Sequence, residues 1–289
     1  MQTIVHSSIP KYAVIGTNSA GKSTATYLAC GILKQQGINV DGIFQQDRRR
    51  PFPTELMGKY LEAHYWQLAN LISVESYFSL IQSGTDVILS DRSVFDLFEY
   101  AKFQWPQSIG ALEQFILTYT ATYTKLFYLK PIEYVDDGQR PPKDFVNAVD
   151  VLIEKDLPVN TIRIPLQRNS GVNPGEFIAQ RIAYDLKLAK LGLNSINSRL
   201  IGSRGCMTHR IDSDWDIVTT VGEIEKNPLL NSIEKRKDSG KNSNSRGLLG
   251  KAPTPCYIVK SSTFDIIVHE TIEEVILYDS ITPYTEIFL

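Results

Sequence analysis

Gly16-Thr17-Asn18-Ser19-Ala20-Gly21-Lys22-Ser23 decides how the chain is read, because it satisfies G-x-x-x-x-G-K-[ST] at every constrained position. Working outward, residues 11–16 (KYAVIG) form a short apolar run suited to a buried strand. Residues 22–36 carry helical spacing that stops at Gly37. A strand leading through a glycine-rich turn into a helix is the context in which this pattern cradles phosphate. The glycines let the backbone curl so that successive N–H groups face phosphate oxygens, and the helix adds its positive N-terminal end. Lys22 suits the β- and γ-phosphates, and Ser23 suits Mg²⁺. The expected nucleotide-binding set is Gly16, Thr17, Asn18, Ser19, Ala20, Gly21, Lys22, Ser23 and Thr24, with ATP and Mg²⁺ as cofactors. The competing reading is a chance glycine-rich turn, which the flanking strand and helix disfavour.

Beyond the loop the first half alternates. Residues 39–44, 86–90, 125–129 and 160–164 read as further short strands. Residues 54–83 (amphipathic and rich in aromatics), 94–103, 111–122 and 144–155 read as helices. Such alternation predicts an α/β fold: a doubly wound parallel sheet of about five strands with helices on both faces. Residues 1–165 are the expected core. A helical extension follows at 166–229, with a helix over 174–191, then a basic flexible linker at 230–252. A small β-rich segment at 253–289 completes the chain, with strands at 256–260, 264–269 and 275–278.

Charged residues at the carboxyl ends of these strands are the candidates for chemistry. Asp91, after the run 86–90, is placed to organise Mg²⁺ with Ser23 or to accept a proton, and its neighbour Arg92 to grip a phosphate or an acceptor. The alternative is that Asp91 or Ser93 caps the helix starting near Val94. Asp47 is a candidate general base and Arg48 a candidate acceptor contact within Gln46-Asp47-Arg48-Arg49-Arg50-Pro51. Arg140, in Asp136-Asp137-Gly138-Gln139-Arg140-Pro141-Pro142-Lys143, is placed to close over the phosphates as a catalytic arginine. Solvated loops are the plainer readings of both stretches. Arg49, Arg50, Arg163, Arg168 and Arg181 are further candidates for phosphate contact among which spacing does not choose.

Composition sets the outer bounds. The 289 residues hold 30 basic and 32 acidic side chains, a net charge of −2, with 43% hydrophobic residues, which excludes a disordered chain. No apolar run approaches the ~20 residues of a membrane span, and the polar first ten residues do not read as a secretory signal. Three scattered cysteines, Cys30, Cys206 and Cys256, provide neither a disulfide framework nor metal-ligand spacing, so the expected compartment is the cytoplasm. The four histidines are read as structural, and Cys30 as packed. Tyr60, Tyr65, Trp66, Tyr77 and Phe78 are read as core, with a base-stacking pocket as the alternative. The near-neutral total conceals a contrast. Residues 230–252 hold six basic and two acidic side chains, whereas 252–289 hold one basic and six acidic. The stretch 235–251 is either a solvated loop or a local nucleic-acid contact.

Three segments together, GTNSAGKST at 16–24, ILSDRSVFDLFEYA at 88–101 and FYLKPIEYVDDGQRPPKDF at 127–145, resemble the P-loop kinases of the nucleoside and nucleotide kinase superfamily. Within it the chain is most similar to deoxynucleoside and thymidylate kinases and to the ribosylnicotinamide kinase domain. The resemblance covers residues 11–165. It implies that Asp91 and Arg92 lie at the metal and the acceptor, that Arg140 belongs to a lid over the phosphates, and that Asp47 occupies the region facing the acceptor hydroxyl. The expected activity is transfer of the γ-phosphoryl of ATP to a nucleoside, nucleotide or similar acceptor. Two alternatives remain: a kinase acting on a nucleotide within DNA or RNA, and a non-kinase P-loop ATPase switching a protein partner. No membrane association is expected, and a homodimer is compatible with this reading.

Overall fold

Five short runs build the central sheet of the first unit: β1 (Lys11–Ile15), β2 (Val40–Ile43), β3 (Val87–Asp91), β4 (Lys125–Tyr128) and β5 (Thr161–Arg163). They are ordered β2-β3-β1-β4-β5 and every neighbouring pair is parallel. β1 and β3 are buried at all five positions, as strands covered on both faces must be, which is why each is mostly apolar, with Lys11 opening β1 and Ser90 and Asp91 closing β3. The computed structural model describes residues 9–44, 60–81, 84–131, 134, 141–164, 173–193, 199–201, 215–227, 230, 235–236, 257–260 and 264–269.

The helices between the strands are α1 (Lys22–Gln35), α2 (Leu61–Ile81), α3 (Val94–Gln104), α4 (Glu113–Thr120, after a 3₁₀ turn at Gly110–Leu112) and α5 (Lys143–Lys155). Parallel crossovers are right-handed. The β1–β2 connection steps one way along the sheet and the later ones step the other. α1 therefore covers one face, while α2, α3 and α5 share the opposite face, where α3 packs against both of the others. This is the doubly wound α/β sheet that the sequence predicts. The chain divides into two units, Met1–Ala179 and Gln180–Leu289.

α2 differs from expectation. Apolar residues are spread around it rather than confined to one stripe, because it packs against both the sheet and α3. Tyr60 and Tyr77, read as core, are 54% and 51% exposed, and Tyr65 is also at the surface. Tyr77 and Phe78 instead line a cleft of about 460 Å³ with Ser73, Val74 and the end of β2. The inward face of α2 carries Glu75, which is fully buried. One Glu75 carboxylate oxygen accepts from Lys11 Nζ at 2.8 Å and Tyr119 Oη at 2.9 Å. The other accepts from Tyr123 Oη at 2.8 Å and Ser90 Oγ at 3.0 Å. The Lys11 ammonium also lies 4.0 and 4.2 Å from the Tyr119 and Tyr123 ring centres. A buried ion pair is tolerated only when its remaining hydrogen-bonding capacity is met, and here both oxygens are used twice. The cluster fixes α2, α4, β1 and β3 in one arrangement.

The second unit contains most of α6 (Pro174–Lys190), whose residues from Gln180 onward belong to it, and a short helix α7 (Val221–Glu225). Its sheet is mixed: β6 (Arg199–Ile201), β7 (Trp215–Thr220), β8 (Lys235–Arg236), β9 (Tyr257–Lys260) and β10 (Phe264–His269). The order is β6-β7-β10-β9-β8, with β7 and β10 parallel and the other pairs antiparallel. Tyr184, Leu188, Leu191, Leu193, Ile217, Ile224, Leu230 and Val268 form its core. β6 and β7 were not foreseen, and Lys235–Arg236, expected within a flexible loop, pairs with β9. The strand expected over 275–278 lies outside the described residues. Among the described residues no helix is long and apolar enough to cross a membrane.

One buried carboxyl makes the fold sensitive to pH. Glu99 on α3 is 2% exposed and its Oε2 has no partner among the protein groups. Burial pushes its pKa up from 4.5 to about 7, while Lys102, 3.5 Å from Oε1, pulls it down and Asp156 and Glu113 pull it up. The native state therefore keeps a proton that the unfolded chain has lost. This contribution to stability is full below pH 4.5 and disappears as pH rises through about 7. Glu99→Gln should match the wild type in urea unfolding at low pH and exceed it at pH 8 by about 3 kcal/mol.

Candidate active site

β1 is central, so the chain leaving it emerges between the ends of β3 and β4. The hydrogen-bond ladder continues past the strands on both sides. Arg92 N–H donates to the Val14 carbonyl at 3.1 Å, and Leu129 N–H to the Ile15 carbonyl at 3.0 Å. Ligand sites of open α/β sheets lie at such carboxyl ends, where connections on either side of a strand depart in opposite directions. Gly16 sits here with φ +137°, and a Cβ on it would collide with the Leu129 carbonyl oxygen. Ser19 (φ +68°) and Gly21 (φ +82°) complete the curl of the loop.

The loop then opens α1, whose N-cap is Gly21. No side chain caps the helix and no acidic residue lies in its first turn. A helix start without a side-chain cap or an acidic first turn suits an anion. Lys22 is buried and its Nζ donates across the loop to the Thr17 carbonyl at 2.7 Å. Thr17 is itself buried, with its hydroxyl 3.4 Å from Asp150 Oδ1 on α5; Tyr128 Oη donates to that same oxygen at 3.0 Å. Burial raises the Asp150 pKa from its ordinary value, against the lowering effect of the Tyr128 hydrogen bond. Ala20 is buried, and Thr24 is exposed on the first turn of α1.

Ser23 Oγ donates to Asp91 Oδ2 at 2.5 Å. Asp91 is the last residue of β3, one position inside the strand rather than after it, and is 5% exposed. The capping alternative is resolved in favour of Ser93: it accepts from the amides of Phe95 and Asp96, while Asp96 reaches back to the Ser93 N–H. That reciprocal cap meets the needs of the start of α3 and leaves Asp91 facing α1. A serine hydroxyl and a carboxylate are hard oxygen donors, and Mg²⁺ is commonly held by one or two such groups plus substrate phosphates. Ser23 and Asp91 fit that ion. Among the described residues there is no cluster of three or more histidine, cysteine or acidic ligands that would hold a metal by protein groups alone.

Arg92 turns the chain at φ +105°, a strained conformation for a residue with a side chain. Its Nη1 is 3.2 Å from Asp96 Oδ2, and its Nη2 donates to Asn18 Oδ1 at 2.8 Å. Asp96 is fully buried; desolvation pushes its pKa up, and Arg92 and Lys22 oppose that shift. The structure thus brings Asn18, Lys22, Ser23, Asp91 and Arg92 together. Asp47, Arg48 and Arg140 lie outside the described residues, as do Arg49, Arg50 and Arg168. Arg163 is exposed and donates to the Glu154 carbonyl at 3.4 Å, while Arg181 lies 3.5 Å from Asp185 in the second unit. Sequence reasoning missed Asp96, Tyr100, Tyr128 and Asp150. Asp96 carried a local signal as the third residue after the Ser93 cap; Tyr100 carried none. Asp150, 133 residues from Thr17, carries no local signal.

No protein-family model matches the chain, and no curated protein matches it. Among solved structures, the crystal structure of NadR protein in complex with NR matches at 16% sequence identity with a TM-score of 0.46. The match covers 64% of this chain and 52% of that one, so this chain spans about half the length of that protein. Gly16→Ala should lower the free energy of urea unfolding by about 1–3 kcal/mol, since it combines an unfavourable φ with a backbone collision. Wild-type stability in that variant would contradict the close approach to Leu129.

Proposed function

We propose that the first unit is an ATP-dependent phosphotransferase acting on a hydroxyl or phosphate of a nucleoside, nucleotide or similar acceptor. The observation that carries this reading is the Ser23–Asp91 contact beside a Gly16–Lys22 loop whose helix amides have no side-chain cap. A glycine-rich loop alone binds phosphate. A buried carboxylate 2.5 Å from the serine that follows the loop lysine adds what phosphoryl transfer needs.

In this reading the amides of the loop and Lys22 hold the β- and γ-phosphates, with Lys22 exchanging the Thr17 carbonyl for phosphate oxygens. Ser23 and Asp91 hold Mg²⁺, which when bound neutralises charge on the phosphate oxygens. Arg92 addresses the transferring group or the acceptor from the other side of Asn18. The acceptor oxygen forms a bond to the γ-phosphorus as the bond from that phosphorus to the β–γ bridging oxygen breaks. ADP leaves, and the hydroxyl proton passes to a carboxylate, for which Asp47 is the candidate. Arg48 at the acceptor and Arg140 in a lid over the phosphates complete the proposal on the strength of the sequence resemblance. The Tyr134 hydroxyl donates to the Pro141 carbonyl at 2.8 Å, bridging the two ends of the segment that carries Arg140.

A coupled assay of ADP release over a panel of nucleosides and nucleoside monophosphates tests this. The expected result is acceptor-dependent release that falls at least about 100-fold in Lys22→Ala, the scale of losing one preorganised charge-stabilising group. Release of ADP that no acceptor stimulates, with ATP turnover intact, would instead favour an ATPase switch.

A further inference from the structure

The phosphate-binding loop is held by a side chain that no part of its own pattern supplies. Tyr100 lies on α3, eight residues beyond Arg92, and is buried. Its hydroxyl oxygen accepts the Asn18 N–H at 3.0 Å. The face of its ring lies 5.3 Å from the Arg92 guanidinium carbon, within cation–π reach. Arg92 in turn donates to the Asn18 side-chain carbonyl at 2.8 Å. Asn18, Tyr100 and Arg92 therefore close a ring of three contacts, in which Asn18 is gripped by its backbone on one side and its side chain on the other. The outer edge of the ring is fixed as well. Asp96 holds Arg92, and the Phe145 ring of α5 packs 6.1 Å from that of Tyr100.

Two consequences follow from this geometry. The Asn18 amide is directed into the protein, so it sets the curvature of the loop. The Arg92 guanidinium is also held at a fixed offset from the loop, because the same tyrosine carries one and anchors the other. Preorganisation of this kind removes ordering that binding or reaction would otherwise require.

We propose that Tyr100 is a positioning residue that aligns the phosphate-binding loop and Arg92 in a single frame through the Asn18 amide. The inference rests on the phosphotransferase reading, since it assigns a task to the loop and to Arg92. Tyr100→Phe is the informative variant: it keeps the ring over Arg92 and against Phe145 while removing the hydroxyl that receives the Asn18 N–H and also hydrogen-bonds with Arg92. Phe145→Leu serves as a packing control that leaves that hydrogen bond in place. Affinity for a non-hydrolysable ATP analogue with Mg²⁺ is measured by calorimetry for all three proteins, alongside their thermal midpoints. The expected result is a loss of about 5- to 20-fold in affinity for Tyr100→Phe, the scale of one hydrogen bond. Phe145→Leu should lose thermal stability yet bind within twofold of wild type. Wild-type affinity in Tyr100→Phe would overturn the positioning role alone, as would an equal loss of affinity in the packing control. A wild-type protein that binds no analogue would overturn both this inference and the phosphotransferase reading. Should Tyr100→Phe fail to fold, amide exchange in the wild type decides. Slow exchange at Asn18 without nucleotide is required, and unprotected exchange there contradicts the proposal.

Discussion

The rim of the first sheet depends on how closely the chain leaving β1 can pass the chain leaving β4. Gly16 runs against the Leu129 carbonyl at a φ of +137°, where a side chain would meet backbone on one side and an unfavourable dihedral on the other. That approach lets the loop begin immediately at the end of the central strand, so it opens beside β3 and not above it. The registers then set the rest. Val14 pairs with Asp91 across one side of β1, and Ile15 with Tyr128 across the other. Ser23 on α1 and Asp91 on β3 meet because both are referred to the same strand.

Alternation along β3 sends two adjacent polar side chains to different neighbours. Ser90 and Asp91 are adjacent, so their side chains leave opposite faces of the sheet. Ser90 turns toward α2 and donates to Glu75, within the polar cluster that also engages Lys11, Tyr119 and Tyr123. Asp91 turns toward α1 and receives the Ser23 hydroxyl. The next residue, Arg92, breaks the extended path and returns its side chain to the α3 face, where Asp96, Asn18 and Tyr100 receive it. Three consecutive residues thus serve three different neighbours. The strained backbone at Arg92 is held by the reciprocal cap that Ser93 and Asp96 make one residue later.

What was legible in the sequence is what depends on neighbours along the chain. The loop was readable because its glycines, lysine and serine are each constrained within eight positions. Asp91 was located to within one residue of the strand end, since the apolar run Val87–Leu89 marks β3 and the polar Ser90 and Asp91 mark its end. The Asn18–Tyr100 and Thr17–Asp150 contacts span 82 and 133 residues, and no local pattern records which helix will cover which side of the loop. Periodicity misled over Tyr60, Tyr65 and Tyr77 because it reports that apolar residues recur, not that a neighbour covers each of them. In the second unit, β6 is only three residues long, and in β7 the buried Ile217 and Thr219 alternate with a less apolar set. Such strands are specified by the partners they pair with: β6 by the neighbouring β7, and β7 also by β10, which lies far along the chain.

The central claim is that Ser23 and Asp91 form the metal-holding side of a nucleotide site. Its most direct test is the enhancement of ATP affinity by Mg²⁺, measured calorimetrically with and without the ion in the wild type and in Asp91→Asn. The account predicts that Mg²⁺ tightens ATP binding at least about tenfold in the wild type, roughly 1.4 kcal/mol of coupling. In Asp91→Asn that enhancement should collapse toward unity while metal-free affinity stays equal or rises, because a negative charge near the phosphates has been removed. Full Mg²⁺ enhancement in Asp91→Asn, with its fold intact, would contradict the account.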